Sequence, residues 1–88
     1  MPERSVTVAA AIGLHARPAA TFSHAAAATG VSVTITAPNG RTVQAASILG
    51  VLSLGVDHGQ TVTLAAEGEG AEAALDTLAA LLATDLES

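Results

Sequence analysis

The sequence predicts an α+β protein: an open-faced two-layer sandwich, with a four-stranded antiparallel sheet and three helices on one face, in the order β-α-β-β-α-β-α. Three observations favour this class. Short segments of alternating apolar and hydroxyl side chains recur along the chain, as in strands with one solvated face. Longer segments rich in alanine and leucine lie between them, and an Asn-Gly turn joins two strand segments directly.

The predicted strands share the same alternation of side chains. Residues 4–9 form the first strand, residues 31–36 the second and residues 61–64 the fourth, each with Val, Ile or Leu on one face and mainly Ser or Thr on the other. Residues 38–40, Pro-Asn-Gly, favour a tight turn because Asn and Gly tolerate positive φ. Alternation resumes at residues 42–44. The second and third strands are therefore expected to form an antiparallel hairpin.

The first predicted helix covers about residues 16–28 and stops at Gly30. Its polar and apolar residues recur at helical spacing, so they fall on opposite faces. The polar face carries Arg17, Thr21 and His24, and the buried face carries Ala19, Phe22 and Ala26. Phe22 is the one aromatic residue of the chain, so the core is expected to be built mainly from aliphatic side chains.

Two further helices follow the hairpin. Ser47 can cap a short helix from Ile48 to about Leu54, which Gly55 closes. The third helix runs from Ala71 to about Thr84. Its leucines face the core and its early acids face solvent near the positive end of the helix dipole: Leu75, Leu78 and Leu82 on one side, Glu72 and Asp76 on the other.

Composition narrows the classes of function. We expect one domain over residues 1–88, close to the lower limit for folding without disulfides or metals. Cysteine is absent, which excludes disulfides and thiolate ligands, and His24 and His58 are too isolated to predict a metal site. A net charge of −5 with three arginines and no lysine argues against nucleic-acid binding. With no apolar signal region and no stretch near the roughly 20 residues that span a bilayer, we expect a cytoplasmic monomer without cofactor or membrane insertion.

The stretch GLHARPAA, residues 13–20, combines groups that suit an anion. His15 precedes the predicted helix, and Pro18 lies in its first turn, where a missing N–H costs nothing. The free N–H groups of Ala16 and Arg17 and the helix dipole attract negative charge, and the Arg17 guanidinium suits phosphate oxygens. These residues alone leave three readings open: a phosphate-binding site, a histidine that is itself phosphorylated, and a loop histidine beside a solvated arginine.

A second motif, ASILGVLSLGV at residues 46–56, follows further along the chain. Together the two motifs resemble the HPr family, the histidine-containing phosphocarriers of the bacterial phosphoenolpyruvate:sugar phosphotransferase system. The resemblance extends over essentially the whole chain and agrees with the predicted element order. It implies a stoichiometric phosphocarrier in a relay rather than a turnover enzyme.

The resemblance also implies roles for individual residues. His15 would accept a phosphoryl group on Nδ1 from enzyme I and pass it to enzyme IIA domains. The N–H groups of Ala16 and Arg17, with the Arg17 side chain, would hold the phosphoryl oxygens. A partner surface would consist of Ala16, Ala20, Ile48, Leu49 and Leu52. On the same short helix, Val51 and Leu54 are expected in the core instead.

Ser47 occupies the family's position for a regulatory serine. The resemblance implies phosphorylation by a serine kinase in some bacteria, with transcriptional regulators as further partners. Added negative charge beside the docking surface should repel acidic enzyme I, whereas the helix dipole accommodates a phosphate at the cap. A capping role worth about 1 kcal/mol explains Ser47 equally well.

Three positions depart from the family pattern. Many members carry lysines on the active face, whereas His24 and Leu49 stand there in this chain. Ile12 stands where relatives often have a hydroxyl or amide near the phosphate. We therefore expect apolar docking with a weak salt dependence. A nitrogen-branch phosphocarrier and a regulatory HPr-like binding module are the alternatives, and the presence of His15 argues against a purely regulatory module.

Overall fold

The computed structural model describes residues 2–84, which form four strands and three helices. In chain order these are β1 (Glu3–Thr7), α1 (Ala16–Ala28), β2 (Val33–Thr36), β3 (Thr42–Gln44), α2 (Ile48–Ser53), β4 (Thr61–Ala66) and α3 (Ala71–Leu82). The predicted order β-α-β-β-α-β-α is confirmed.

The strands form one antiparallel sheet in the order β1-β4-β2-β3. Central β4 pairs with both β1 and β2, for example at Val6↔Val62 and Ile35↔Leu64. α3 packs against β1, β4 and β2, and α1 packs against α2 and α3. On the sheet face away from the helices, Ser5 is exposed and Thr63 is half-buried. The open-faced sandwich that the sequence predicts is therefore confirmed.

The core joins the apolar face of the sheet to the three helices. Phe22 is fully buried, and the largest buried aliphatic side chains come from the loop before α1, from β2, from β4 and from α3: Leu14, Ile35, Leu64, Leu75, Leu78 and Leu82. The predicted faces of α1 and α3 are confirmed, since Ala19 and Ala26 are buried while Arg17, Thr21, His24, Glu72 and Asp76 are exposed. Burial of these apolar stripes is the main source of helix stability in a domain of this size.

Two strands differ in length from their predicted bounds. β1 ends at Thr7 rather than residue 9, because the N–H of Val8 donates to the Gln60 carbonyl and that of Ala9 to the Leu82 carbonyl. β4 continues through Ala65 and Ala66, which pair with Glu3 and Val33 respectively. Alanine has no strong strand preference, so this extension depends on the neighbouring strands.

The second strand also begins later than predicted, at Val33. The N–H of Val31 instead donates to the Thr29 hydroxyl oxygen at 3.2 Å, in the turn that follows α1. The hairpin itself is as predicted: the N–H of Ala37 donates to the Arg41 carbonyl at 2.8 Å, and Gly40 has a φ of +91°.

Candidate functional site

His15 lies immediately before α1, and its side chain does not cap the helix. It is the N-cap residue, with φ −127° and ψ 159°, and it makes no side-chain capping hydrogen bond. The side chain is 39% exposed. The imidazole therefore stands at the helix N-terminus, where the sequence places it, and remains accessible to another molecule.

The first turn of α1 supplies backbone donors at the same place. Helical geometry leaves the N–H groups of Ala16 and Arg17 without a carbonyl four residues earlier in the helix. Pro18, which is buried, has no N–H to leave unpaired. Ala16 has a left-handed φ of +47°, which is unusual for a residue with a Cβ. With the positive end of the helix dipole, the two donors make this helix end suitable for an anion.

Arg17 differs from the other arginines in its surroundings. Arg4 on β1 hydrogen-bonds Glu72 and Asp76 of α3, and these two carboxylates raise its pKa. Arg41 donates to the Ser53 carbonyl at 3.0 Å, at the end of α2. Within residues 2–84, Arg17 is the one arginine whose side chain makes no hydrogen bond to the protein, and it is exposed. Its guanidinium is therefore available for an external anion.

Asp57 is a neighbour of His15 that the sequence analysis missed. Its Oδ1 lies 3.2 Å from Nε2 of His15, although 42 residues separate the two in sequence. The segment 57–59, Asp-His-Gly, indicates only a turn, and no local pattern relates that turn to residue 15. Because a carboxylate can only accept hydrogen bonds, a neutral imidazole that hydrogen-bonds Asp57 carries its proton on Nε2 and its lone pair on Nδ1.

A close approach of two backbone segments places Asp57 beside His15. Gly13 has a φ of +78°, and a Cβ built there would lie 2.4 Å from the Val56 carbonyl oxygen and 2.7 Å from Cα of Asp57. The next residue, Leu14, donates its N–H to the same Val56 carbonyl at 2.9 Å. Only glycine tolerates both the left-handed φ and the lack of room for a Cβ. Gly13 therefore allows the loop before His15 to pass close to the turn that carries Asp57.

The helix α2 presents apolar side chains to solvent, as expected. Ile48, Leu49 and Leu52 are 39%, 77% and 36% exposed, while Val51 and Leu54 are buried. The buried hydroxyl of Ser23 on α1 donates to the Ala45 carbonyl at 3.1 Å, just before α2. This contact helps to hold α2 beside α1. On α1, Ala16 is exposed and Ala20 is half-buried, and Ile12 in the preceding loop is 43% exposed.

Ser47 caps α2 as predicted. It has extended backbone angles, and its Oγ accepts a hydrogen bond from the N–H of Gly50 at 3.1 Å. The residue is exposed. Its hydroxyl therefore has an observed structural role, and it is also accessible to a modifying enzyme.

Metal and membrane sites receive no support among residues 2–84. No group of three or more His, Asp or Glu side chains there is arranged to hold a metal ion. His24 is exposed on α1. Nδ1 of His58 lies 3.2 Å from the Ala10 carbonyl oxygen. None of the helices in the same part of the chain has the length and apolar character needed to cross a membrane.

A surface groove lies far from His15. It has a volume of about 380 Å³ and lies between the C-terminal end of α1 and the N-terminal end of α3, lined by residues that include Thr29, Gly70 and Thr77. His15 lies at the opposite end of α1, which at 13 residues is about 20 Å long. The groove therefore takes no part in the site at His15, which is an exposed surface rather than an enclosed pocket.

Comparison with known proteins identifies the family to which the chain belongs. The family model "PTS HPr component phosphorylation site" matches residues 2–84. The chain is 56% identical over 87 residues to the phosphocarrier protein HPr of Streptomyces coelicolor, covering 99% of this chain and 94% of the relative. The phosphocarrier protein NPr of Shewanella violacea is 40% identical over 80 residues, covering 91% of this chain and 87% of the relative.

Structural comparison agrees with the sequence matches. The crystal structure of the phosphocarrier protein HPr from Bacillus anthracis superposes with a TM-score of 0.88 at 40% identity, covering 92% of this chain and 95% of that one. The matches extend over nearly the full length of the chain and include both motifs, and the higher identity is to HPr rather than NPr. The chain therefore belongs to the HPr family, and it is a phosphocarrier of the phosphotransferase system.

Proposed function

We propose that the chain accepts a phosphoryl group on Nδ1 of His15 from phosphorylated enzyme I and passes it to enzyme IIA domains in the cytoplasm. The observation that carries this proposal is the His15 imidazole itself. It is 39% exposed at the N-terminus of α1, makes no capping bond, and faces Asp57 through Nε2. Nδ1 is then the ring nitrogen left to react.

The surrounding donors support this role. The N–H groups of Ala16 and Arg17 lie at the helix end next to His15, and Arg17, whose side chain is exposed, stands in the same turn. Charge-assisted hydrogen bonds from such groups stabilise phosphoryl oxygens. Phosphoryl transfer depends mainly on positioning and charge stabilisation, and a carrier must also release its cargo. An exposed site with few donors satisfies both requirements.

The direct test is phosphorylation of the purified chain by phosphoenolpyruvate and enzyme I. We expect an acid-labile, base-stable phosphate, which is the behaviour of phosphohistidine and not of phosphoserine, and no label when enzyme I is omitted. A chain that stays unlabelled would contradict the proposal. Addition of a panel of enzyme IIA proteins then tests the second half of the relay. Transfer only to acceptors of the nitrogen branch would identify the chain as a nitrogen-branch phosphocarrier rather than a sugar-branch one.

We predict that Arg17→Ala slows phosphoryl transfer from enzyme I by about 100-fold, because removal of one donor to a developing negative charge commonly costs that much or more. The Arg17 side chain is exposed and makes no hydrogen bond to the described part of the protein, so the melting temperature should hardly change. Rapid-quench kinetics measures the rate.

Arg4→Ala is the matched control for Arg17→Ala, because it changes the net charge equally but removes contacts to Glu72 and Asp76 of α3. It should retain nearly the full transfer rate. Equal rates for the wild type and Arg17→Ala would remove the role proposed for Arg17.

We propose that the side chains of Ala16, Ala20, Ile48, Leu49 and Leu52, all exposed except the half-buried Ala20, form the docking surface for enzyme I and enzyme IIA. The three large apolar residues lie on α2, and α1 brings the two alanines to the neighbouring surface with His15. A contiguous exposed apolar patch is typical of a protein interface. No lysine can contribute here, since the chain contains none, so docking should depend less on salt than in lysine-rich relatives.

We predict that Leu49→Ala weakens binding to enzyme I by about tenfold, because this most exposed of the three large apolar residues is expected to be among the few that contribute most of the binding energy. Leu49 is 77% exposed, so its truncation should hardly change the free energy of unfolding. Leu49→Lys should instead bind with a steeper dependence on salt, because it adds a cation at the surface. Titration calorimetry at two salt concentrations measures both effects, and an unchanged affinity for Leu49→Ala would exclude this residue from the interface.

Regulation at Ser47 is a separate proposal. A phosphate on Ser47 would lie at the N-terminus of α2 and next to Ile48, so it would add negative charge to the docking surface. Incubation with ATP and a lysate of the source cells, followed by mass spectrometry, tests for this modification, with Ser47→Ala as the blank. If no phosphate is found on Ser47, the observed cap to Gly50 is its role.

A further inference from the structure

We propose that Asp57 is a positioning residue for His15, whose carboxylate holds the Nε2–H and so directs the Nδ1 lone pair toward the phosphoryl donor. This inference rests on the proposed role of His15. It is carried by the 3.2 Å contact between Asp57 Oδ1 and His15 Nε2. A neutral imidazole bears its proton on one nitrogen, and a hydrogen bond to that proton selects the tautomer and the ring orientation.

The turn that carries Asp57 is held from several sides. The N–H of Asp57 donates to the Gln60 side chain at 2.8 Å, and the N–H of Gln60 donates to the Asp57 carbonyl at 3.2 Å. The N–H of Gly59 donates to the Val8 carbonyl at 2.9 Å. On the other side of the turn, the imidazole of His58 lies 3.2 Å from the Ala10 carbonyl oxygen. The backbone of Asp57 is therefore fixed relative to the loop that leads into His15.

The transfer step can proceed without moving a proton. As the Nδ1 lone pair of His15 forms the bond to phosphorus, the bond from phosphorus to the donor breaks and the donor keeps that electron pair. Nε2 keeps its proton, so the ring acquires positive charge, and the Asp57 carboxylate lies against that charge. When an acceptor attacks phosphorus, the electron pair of the P–Nδ1 bond returns to the ring, which is neutral again.

The expected effect is moderate because both groups are partly hydrated. The side chains of His15 and Asp57 are 39% and 75% exposed, so water competes with the contact and screens the charge. One hydrogen bond to a charged group under these conditions supports an effect of about tenfold. Asp57→Ala should therefore slow phosphoryl transfer from enzyme I by about tenfold.

Two substitutions separate the hydrogen bond from the charge. Asp57→Asn keeps an oxygen that can accept from Nε2–H but removes the negative charge, so transfer should slow by about threefold, less than in Asp57→Ala. Glu67→Gln is the matched control, because it neutralises an exposed carboxylate just beyond the other end of β4. It should leave the transfer rate unchanged.

The decisive readout is ¹⁵N NMR of the His15 ring in the free protein, at an alkaline pH where the imidazole is neutral. In the wild type the Nε2–H tautomer should predominate. In Asp57→Ala, the ratio of the Nε2–H to the Nδ1–H tautomer should fall by about tenfold, since the bond stabilises only the former. Asp57→Asn should retain most of the wild-type ratio.

Three results would overturn the inference: an unchanged tautomer ratio in Asp57→Ala, an unchanged transfer rate in Asp57→Ala, or equal slowing by Glu67→Gln and Asp57→Asn, which would indicate a general effect of net charge. The NMR measurement needs no partner protein. A wild type that enzyme I cannot label would therefore contradict the proposed function and leave the tautomer measurement as an independent result.

Discussion

Replacement of His15 by alanine is expected to abolish phosphorylation by phosphoenolpyruvate and enzyme I. The substitution removes the nucleophile itself, and the remaining donors at the helix end, Ala16 and Arg17, have nothing to which a phosphoryl group could be bonded. Loss of a covalent nucleophile typically costs several powers of ten in rate. The protein should still fold, because His15 makes no capping bond that alanine would remove.

His24→Ala is the matched control for this prediction. It removes an exposed histidine from the same helix, on the polar face of α1, and it should be labelled as fast as the wild type. Label is measured by acid-urea gel or by intact-mass spectrometry under neutral conditions. If His15→Ala retained acid-labile phosphate while His24→Ala or His58→Ala lost it, the phosphorylated residue would have to be reassigned.

Gly13→Ala is expected to lower the free energy of unfolding by about 2–4 kcal/mol. A left-handed φ costs a residue with a Cβ about 1 kcal/mol or more, and the forced shift adds the cost of overpacking, about 1–3 kcal/mol. The new Cβ would meet backbone atoms of Val56 and Asp57, the nearest at 2.4 Å, so no side chain can rotate away. Transfer should slow as well, because Asp57 would be pushed away from His15. Urea denaturation measures the stability.

Gly30→Ala separates the cost of the left-handed φ from the cost of overpacking. Gly30 has a similar φ of +71°, but a Cβ built there meets nothing within 4 Å. It should therefore cost only the backbone term, about 1 kcal/mol, and leave the transfer rate unchanged. Equal destabilisation by Gly30→Ala and Gly13→Ala would show that the close approach of residues 13 and 56 has no energetic consequence.

Most of the fold is predictable because its signals are local. The Asn39-Gly40 turn, the Ser47 cap and the apolar stripe of Leu75, Leu78 and Leu82 each depend on a few neighbouring residues, and all three are observed. The alanines at the end of β4 carry no such signal, because their strand conformation depends on pairing with Glu3 and Val33.

The candidate site likewise combines features that depend on neighbouring residues with features that depend on distant ones. The half at Ala16 and Arg17, proposed to bind the phosphoryl group, follows from the start of a helix, which can be predicted from the sequence. The contact with Asp57 cannot, since it requires two loops 42 residues apart to meet. The role of Gly13 in that meeting likewise depends on which backbone passes beside it. The roles of the site residues, the monomeric state, the single-domain organisation and the cytoplasmic location stay predictions.

The position of β4 in the sheet has a consequence for how the protein is made. β4 lies between β1 and β2, yet it is the last strand to leave the ribosome. Until residues 61–66 are synthesised, β1 has no partner strand, and β2 can pair only with β3. The turn bearing Asp57 leads directly into that late strand. The contact between His15 and Asp57 thus belongs to the last stage of assembly.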